Sequence, residues 1–251
     1  MFPRIRSRSA FLRGWIASPI LLLLGVCSLF AAQLPGDIRL YQSKGRPAEI
    51  ILKDGTKPPI RVGESIPRDA TIRTPEGSSL TLMFSNGATM SIQPGSELQV
   101  SFLTSDPDRP AIPAQPRSTA GQAPSDTEVK LTNGLIMLDV APQNRKSTLQ
   151  VTTPLGIACI RGTQYFVQAG KNLAIVGVVS GKVLATNLAG GSKLLVPGTA
   201  VAMAPSGFVE AGPAGASLLE QTLNILRLLH PSSQSASPNS PTSRASYNLS
   251  E

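Results

Sequence analysis

The chain has 251 residues, of which 41% are hydrophobic, 15% charged and only 4% aromatic, with 22 Gly and 22 Pro. A charged fraction well below the roughly 25% of an average globular chain excludes a Lys/Glu-rich coiled coil, and the hydrophobic content excludes a fully disordered chain. The formal net charge of +8 falls to +4 once the four Arg of residues 1–32 are set aside, and the remaining charges are scattered without a basic run, so nucleic acid is not an expected partner.

Residues 1–32 have the layout of a secretory signal peptide. Arg4, Arg6, Arg8 and Arg13 precede the uncharged stretch Trp15 to Ala32, which carries the run Ile20-Leu21-Leu22-Leu23-Leu24 and ends in Ala31-Ala32. Cleavage after Ala32 places Phe30 where a small residue is preferred, so an uncleaved N-terminal anchor is the alternative, and the membrane is a partner only in that case. Either way the basic flank sends the rest of the chain across the membrane, to the periplasm or cell envelope. Cys27 follows bulky Val26, which argues against lipidation there. Cleavage would leave Cys159 as the one thiol, in the apolar run Ile157 to Ile160, and no intrachain disulfide. Residues 33–48 are expected to be a linker.

Residues 49–210 form a series of short β-like runs. Leu80, Leu82 and Phe84 alternate on one face, and Asn86-Gly87 is a hairpin signal before Thr89 to Ile92. Pro94-Gly95 turns the chain toward Leu98, Val100 and Phe102. Residues 104–126 carry five Pro (Pro107, Pro110, Pro113, Pro116 and Pro124) and break the rhythm as an insertion, a loop in preference to a polyproline docking segment. Strands resume at Val129 to Thr132, with Asn133-Gly134 expected to turn the chain before Leu135 to Val140, and continue to Phe208. Thr74-Pro75-Glu76-Gly77 and Thr153-Pro154-Leu155-Gly156 repeat one turn signature, Pro fixing φ and Gly permitting positive φ. The expected fold is all-β: a curled or solenoid-like stack of short antiparallel strands in two related halves, plus one C-terminal helix. That amphipathic helix spans 214–230, opens on the capping-box pair Ser217 and Glu220, and presents Leu219, Thr222, Leu223, Leu226 and Leu229 to an open end or edge of the β body. Pro231 stops it, and residues 231–251 have the composition of a disordered tail.

Ile72-Arg73-Thr74-Pro75-Glu76-Gly77-Ser78-Ser79, with Leu82, Phe84, Asn86-Gly87 and Met90, resembles the opening of the FecR domain. The resemblance strengthens from Val151 through Thr153-Pro154-Leu155-Gly156 and Arg161-Gly162-Thr163 to Val167, and extends to Gly181-Lys182-Val183 and Pro197-Gly198-Thr199-Ala200. It implies an exported all-β module. The founding members of this family pass an iron-uptake signal to a cytoplasmic sigma factor through a helical region ahead of the membrane segment. Here only about 14 residues precede the apolar stretch, too few for a packed helical domain, so direct sigma-factor contact is not expected. Arg161-Gly162-Thr163 has two readings: an exposed contact for an anion or partner, or a bend whose side chains tie neighbouring turns together.

Chemistry is sparse. The one histidine, His230, sits at the helix end and complements its dipole. One His with one mature Cys cannot build a zinc site of usual spacing. Asp106 and Asp108 lie in the Pro-rich insertion, where a calcium site has little support. Gly177 to Lys182 is superficially similar to a phosphate loop, but the glycine spacing is one short and Val183 stands where Ser or Thr is needed. No catalytic, cofactor-binding or metal residue is assigned. The expected function is a non-catalytic envelope module binding protein or polysaccharide, a candidate signalling component. The alternative is an exported glycan hydrolase using two acids among Glu64, Asp69, Glu76, Glu97 and Asp139.

Overall fold

The computed structural model describes residues 34–35, 37–105, 125–140, 147–160 and 162–229. The expectations for the signal segment, Arg161, His230, the tail and nearly all of the Pro-rich insertion, with Asp106 and Asp108, lie outside these residues; so does the side chain of Phe102.

Among the described residues, sixteen strands and one helix follow in chain order. They are β1 (Leu34–Pro35), β2 (Ile38–Lys44), β3 (Glu49–Ile51), β4 (Thr71–Arg73), β5 (Ser79–Phe84), β6 (Thr89–Ile92), β7 (Glu97–Ser105) and β8 (Asp126–Asp139). Then come β9 (Thr148–Thr153), β10 (Gly156–Ile160), β11 (Gln164–Ala169), β12 (Ala174–Ser180), β13 (Val183–Asn187), β14 (Ser192–Leu195), β15 (Ala200–Ala204), β16 (Gly207–Glu210) and α1 (Gly212–Leu229). The strands form one curled, hydrogen-bonded system with two leaves. The first leaf has the order β2-β5-β6-β8-β11-β12-β15-β16, and the second β3-β4-β7-β8-β9-β10-β13-β14. From β9 onward, hairpins alternate between the leaves: β9-β10, β13-β14 in the second, β11-β12, β15-β16 in the first. All-β with a C-terminal helix is therefore the observed class.

Strand β8 joins the leaves. Its first part pairs with β7 and, in parallel, with β9; its last part pairs with β6 and β11. Asn133-Gly134 is accordingly not a turn between two strands, as the dipeptide suggests, but a kink inside one 14-residue strand. Gly134 has φ 96°, and a Cβ there would overlap the backbone of Ser96, so the crossing needs glycine for both conformation and space. The parallel β8–β9 pair also departs from the expected antiparallel stack. Residues 140–147 make that connection.

The core lies between the leaves. Alternation puts Leu82, Met90, Leu138, Val167 and Val176 of the first leaf and Ile72, Leu98, Val151 and Val183 of the second in one buried cluster. The first leaf is apolar on its other face too, at Leu135, Met137, Phe166, Ile175 and Ala202, and there α1 packs with Leu218, Leu219 and Ile225. The helix therefore covers a sheet face, not an open end or edge. It also starts five residues before the expected cap: Pro213 occupies the first turn, where its missing N–H costs nothing, and Ser217 lies within the helix. Residues 33–48 are not a linker, because β2 alternates Ile38 and Leu40 into the core and pairs with β5.

Candidate functional site

The three turn signatures do different jobs. Thr74-Pro75-Glu76-Gly77 carries the chain from β4 in the second leaf to β5 in the first. Thr153-Pro154-Leu155-Gly156 instead closes the β9–β10 hairpin within the second leaf, with Thr153 opposite Gly156. Gly162 and Thr163 carry the chain from β10 to β11, again from second leaf to first. The structural counterpart of Thr74 is thus Thr163, and the repeated Thr-Pro-x-Gly string marks positions that are not equivalent.

Hydrogen bonds bear out this pairing. The Thr74 hydroxyl donates to the Gln93 carbonyl at 2.7 Å, approaches the Ser96 carbonyl at 3.3 Å, and accepts from the Ser96 N–H at 2.9 Å. The Thr163 hydroxyl donates to the Lys182 carbonyl at 3.2 Å. Ser96 and Lys182 each follow the glycine of a turn, Gly95 and Gly181, both with positive φ. A Cβ on Gly181 would sit 2.7 Å from the Gly162 carbonyl oxygen, and one on Gly95 would sit 2.6 Å from Glu76 Oε1. In both halves a glycine turn lies against a threonine crossover, and the threonine ties the leaves together. In the third signature, Thr153 Oγ1 donates to Gly156 O at 2.9 Å and accepts from Leu155 N–H at 3.2 Å, a local turn lock. Thr74, Thr153 and Thr163 are buried, whereas Pro154 and Gly77 are exposed and Pro75 half-buried.

Four of the five acids considered for hydrolysis have a partner of their own. Glu97 binds Arg73 at 2.8 Å, and Arg73 also reaches Glu49 at 3.7 Å, a charge ladder across β3, β4 and β7. Lys57 holds the Glu49 carboxyl below its ordinary range through a hydrogen bond and its charge. Asp69 pairs with Lys53, and Glu64 accepts the Arg61 backbone N–H. Buried Asp139 accepts from Gln164 Nε2 at 3.0 Å. Glu76 is exposed beside Gly95. No group of three His, Cys, Asp or Glu converges among the described residues.

The notable surface is on the β9–β16 side. A groove of about 720 Å³ on the outer face of the second leaf is lined by Gln150, Cys159, Lys182, Leu184 and Leu194, among others. A second, of about 610 Å³, runs between β14 and the β15–β16–α1 corner, past Lys193, Leu195, Phe208 and Leu219. Cys159 is exposed at the first groove, and partial burial raises its thiol pKa. Charge scatter in the sequence hides one regularity here: all 15 acids lie outside residues 140–209, a stretch with six basic residues.

Residues 70–184 match the family model described as FecR protein. That match runs from the residue before β4 into β13, across both leaves and all three turn signatures. No curated protein sequence matches the chain. Among solved structures, two crystal structures of a "putative anti-sigma factor" from Parabacteroides distasonis each align with 14% identity over 64% of this chain and 74% of theirs, at a TM-score of 0.42.

Proposed function

We propose that the chain, whose residues 70–184 match the FecR protein family model, works as a non-catalytic, exported module of the cell envelope that binds a protein or polysaccharide within a signalling system. The FecR match across both leaves carries this reading. Glu97, Asp69 and Glu64 are each engaged by a basic or backbone partner, and not by a second carboxylate as a paired-acid hydrolase would need. The export step rests on the basic, apolar N-terminal segment. Fusing alkaline phosphatase after residue 48 tests it: strong phosphatase activity in cells is expected, since the reporter folds only outside the cytoplasm, and an inactive but intact fusion would overturn the reading. Glycan turnover abolished by Glu97→Gln would overturn the non-catalytic part.

A further inference from the structure

We infer that the free edge of β14 receives an extended, acidic segment of a partner protein as an added strand. This deepens the binding-module reading and rests on it. Among the described residues, β14 pairs only with β13 and ends the second leaf. The Asn187 N–H donates to the Gly191 carbonyl at 2.9 Å, so that pair is hydrogen-bonded. Counting along the register, Ala185–Lys193 and Val183–Leu195 are then hydrogen-bonded pairs too. Ser192 and Leu194 consequently turn their N–H and C=O groups away from β13, toward an incoming strand.

The flanks suit such a strand. Successive side chains of a strand point to opposite faces, and β14 has a groove on each: the Cys159–Leu184–Leu194 groove outside and the Leu195–Phe208–Leu219 groove inside. Leu184, Leu188, Leu194 and Val196 are 42%, 69%, 57% and 43% exposed, an apolar rim where unpaired edges are usually blunted by charge. The opposite edge, β3, is only three residues long and carries Glu49 clamped by Lys57 and Arg73. Charge selects the occupant. Lys182 stands at the outer groove and Lys193 at the inner, within the acid-free 140–209 stretch; Glu210 is the one acid in either lining. Backbone pairing, alternating apolar contacts and excess cation together fit an extended peptide that alternates acidic and apolar residues.

The full chain is titrated with a fluorescein-labelled ten-residue probe alternating Glu and Val, against a counterpart alternating Lys and Val, by fluorescence anisotropy. The acidic probe should bind at least about tenfold more tightly and weaken as salt rises. Leu194→Pro removes an outward N–H without touching the β13 ladder, a position where an edge strand tolerates proline, and should abolish binding. If that variant misfolds by circular dichroism, Lys182→Glu with Lys193→Glu carries the test, with an expected loss of about tenfold. Equal binding of the two probes, or binding indifferent to all three substitutions, overturns the inference. A dimer in sedimentation that Leu194→Pro dissolves would instead assign the edge to a second copy of this chain. Tighter binding of polygalacturonate, unchanged by Leu194→Pro, would assign the surface to a polyanionic polysaccharide. Failure of the probe on an exported chain sinks this inference alone, whereas a cytoplasmic chain sinks the function proposed above.

Discussion

Replacing Thr74 by Val keeps the side-chain volume close to native but deletes a hydroxyl that serves two buried partners. Thr74 is 2% exposed, and its hydroxyl bridges the Gln93 carbonyl at 2.7 Å and the Ser96 N–H at 2.9 Å. Ser96 is fully buried, so its N–H has no water to turn to. Each buried group left without a partner costs about 1–3 kcal/mol, and the two together put the loss at about 2–6 kcal/mol. Against a total stability of about 5–15 kcal/mol this is large. Thr163→Val removes one longer bond, at 3.2 Å, and should cost about 1 kcal/mol. Urea titration followed by far-UV circular dichroism measures both, with an unchanged m-value showing that the two-state comparison holds. A Thr74→Val loss below about 0.5 kcal/mol, or one no larger than that of Thr163→Val, would refute the argument that the first crossover ties the leaves.

Four further outcomes are expected. Tyr165 is fully buried and its hydroxyl has no hydrogen-bond partner among the described residues, so Tyr165→Phe should raise stability by about 1 kcal/mol in the same titration. Burial also lifts that phenol well above its ordinary 10.0, so the unfolded chain loses the proton first. Stability present below pH 10 should therefore fall as pH rises beyond it, and fall less in Tyr165→Phe. Gly134→Ala, with φ 96° and Ser96 in the way, should cost about 3 kcal/mol or more; a neutral result in thermal unfolding would remove the kink from the account. Cys159 should be alkylated at pH 8 more slowly than a free cysteine, because burial raises its pKa from 9.0 and thins the thiolate; peptide-resolved mass spectrometry reads the rate, and a faster-than-free reaction would contradict the groove geometry.

Local chemistry made much of this fold legible in the sequence. Alternation at Leu80, Leu82 and Phe84, followed by Asn86-Gly87 and Thr89 to Ile92, yields the β5–β6 hairpin. The same dipeptide at Asn133-Gly134 misleads, because Asn-Gly specifies positive φ and not chain reversal; here the φ serves a strand passing between leaves. Thr-Pro-x-Gly misleads similarly. It encodes a turn, but whether that turn closes a hairpin or crosses between sheets depends on which strands lie beyond it. Ser217 and Glu220 have capping spacing, yet the helix starts earlier, at Gly212, with Pro213 in its first turn. β2 has the sequence of a linker because only Ile38 and Leu40 of its seven residues are buried. The β14 edge and its grooves needed the register, which no window of sequence contains. The absence of acids from residues 140–209 is a plain count in the sequence, but it gains meaning only because β9 to β16 lie together beyond β8 in both leaves.

Intact-mass measurement on separated fractions of the native host distinguishes an exported binding module from a cytoplasmic protein. An exported module is recovered from the envelope, as a soluble species beginning near Gln33 or as a full-length membrane-bound one. Full-length chain confined to the soluble cytoplasm would overturn export.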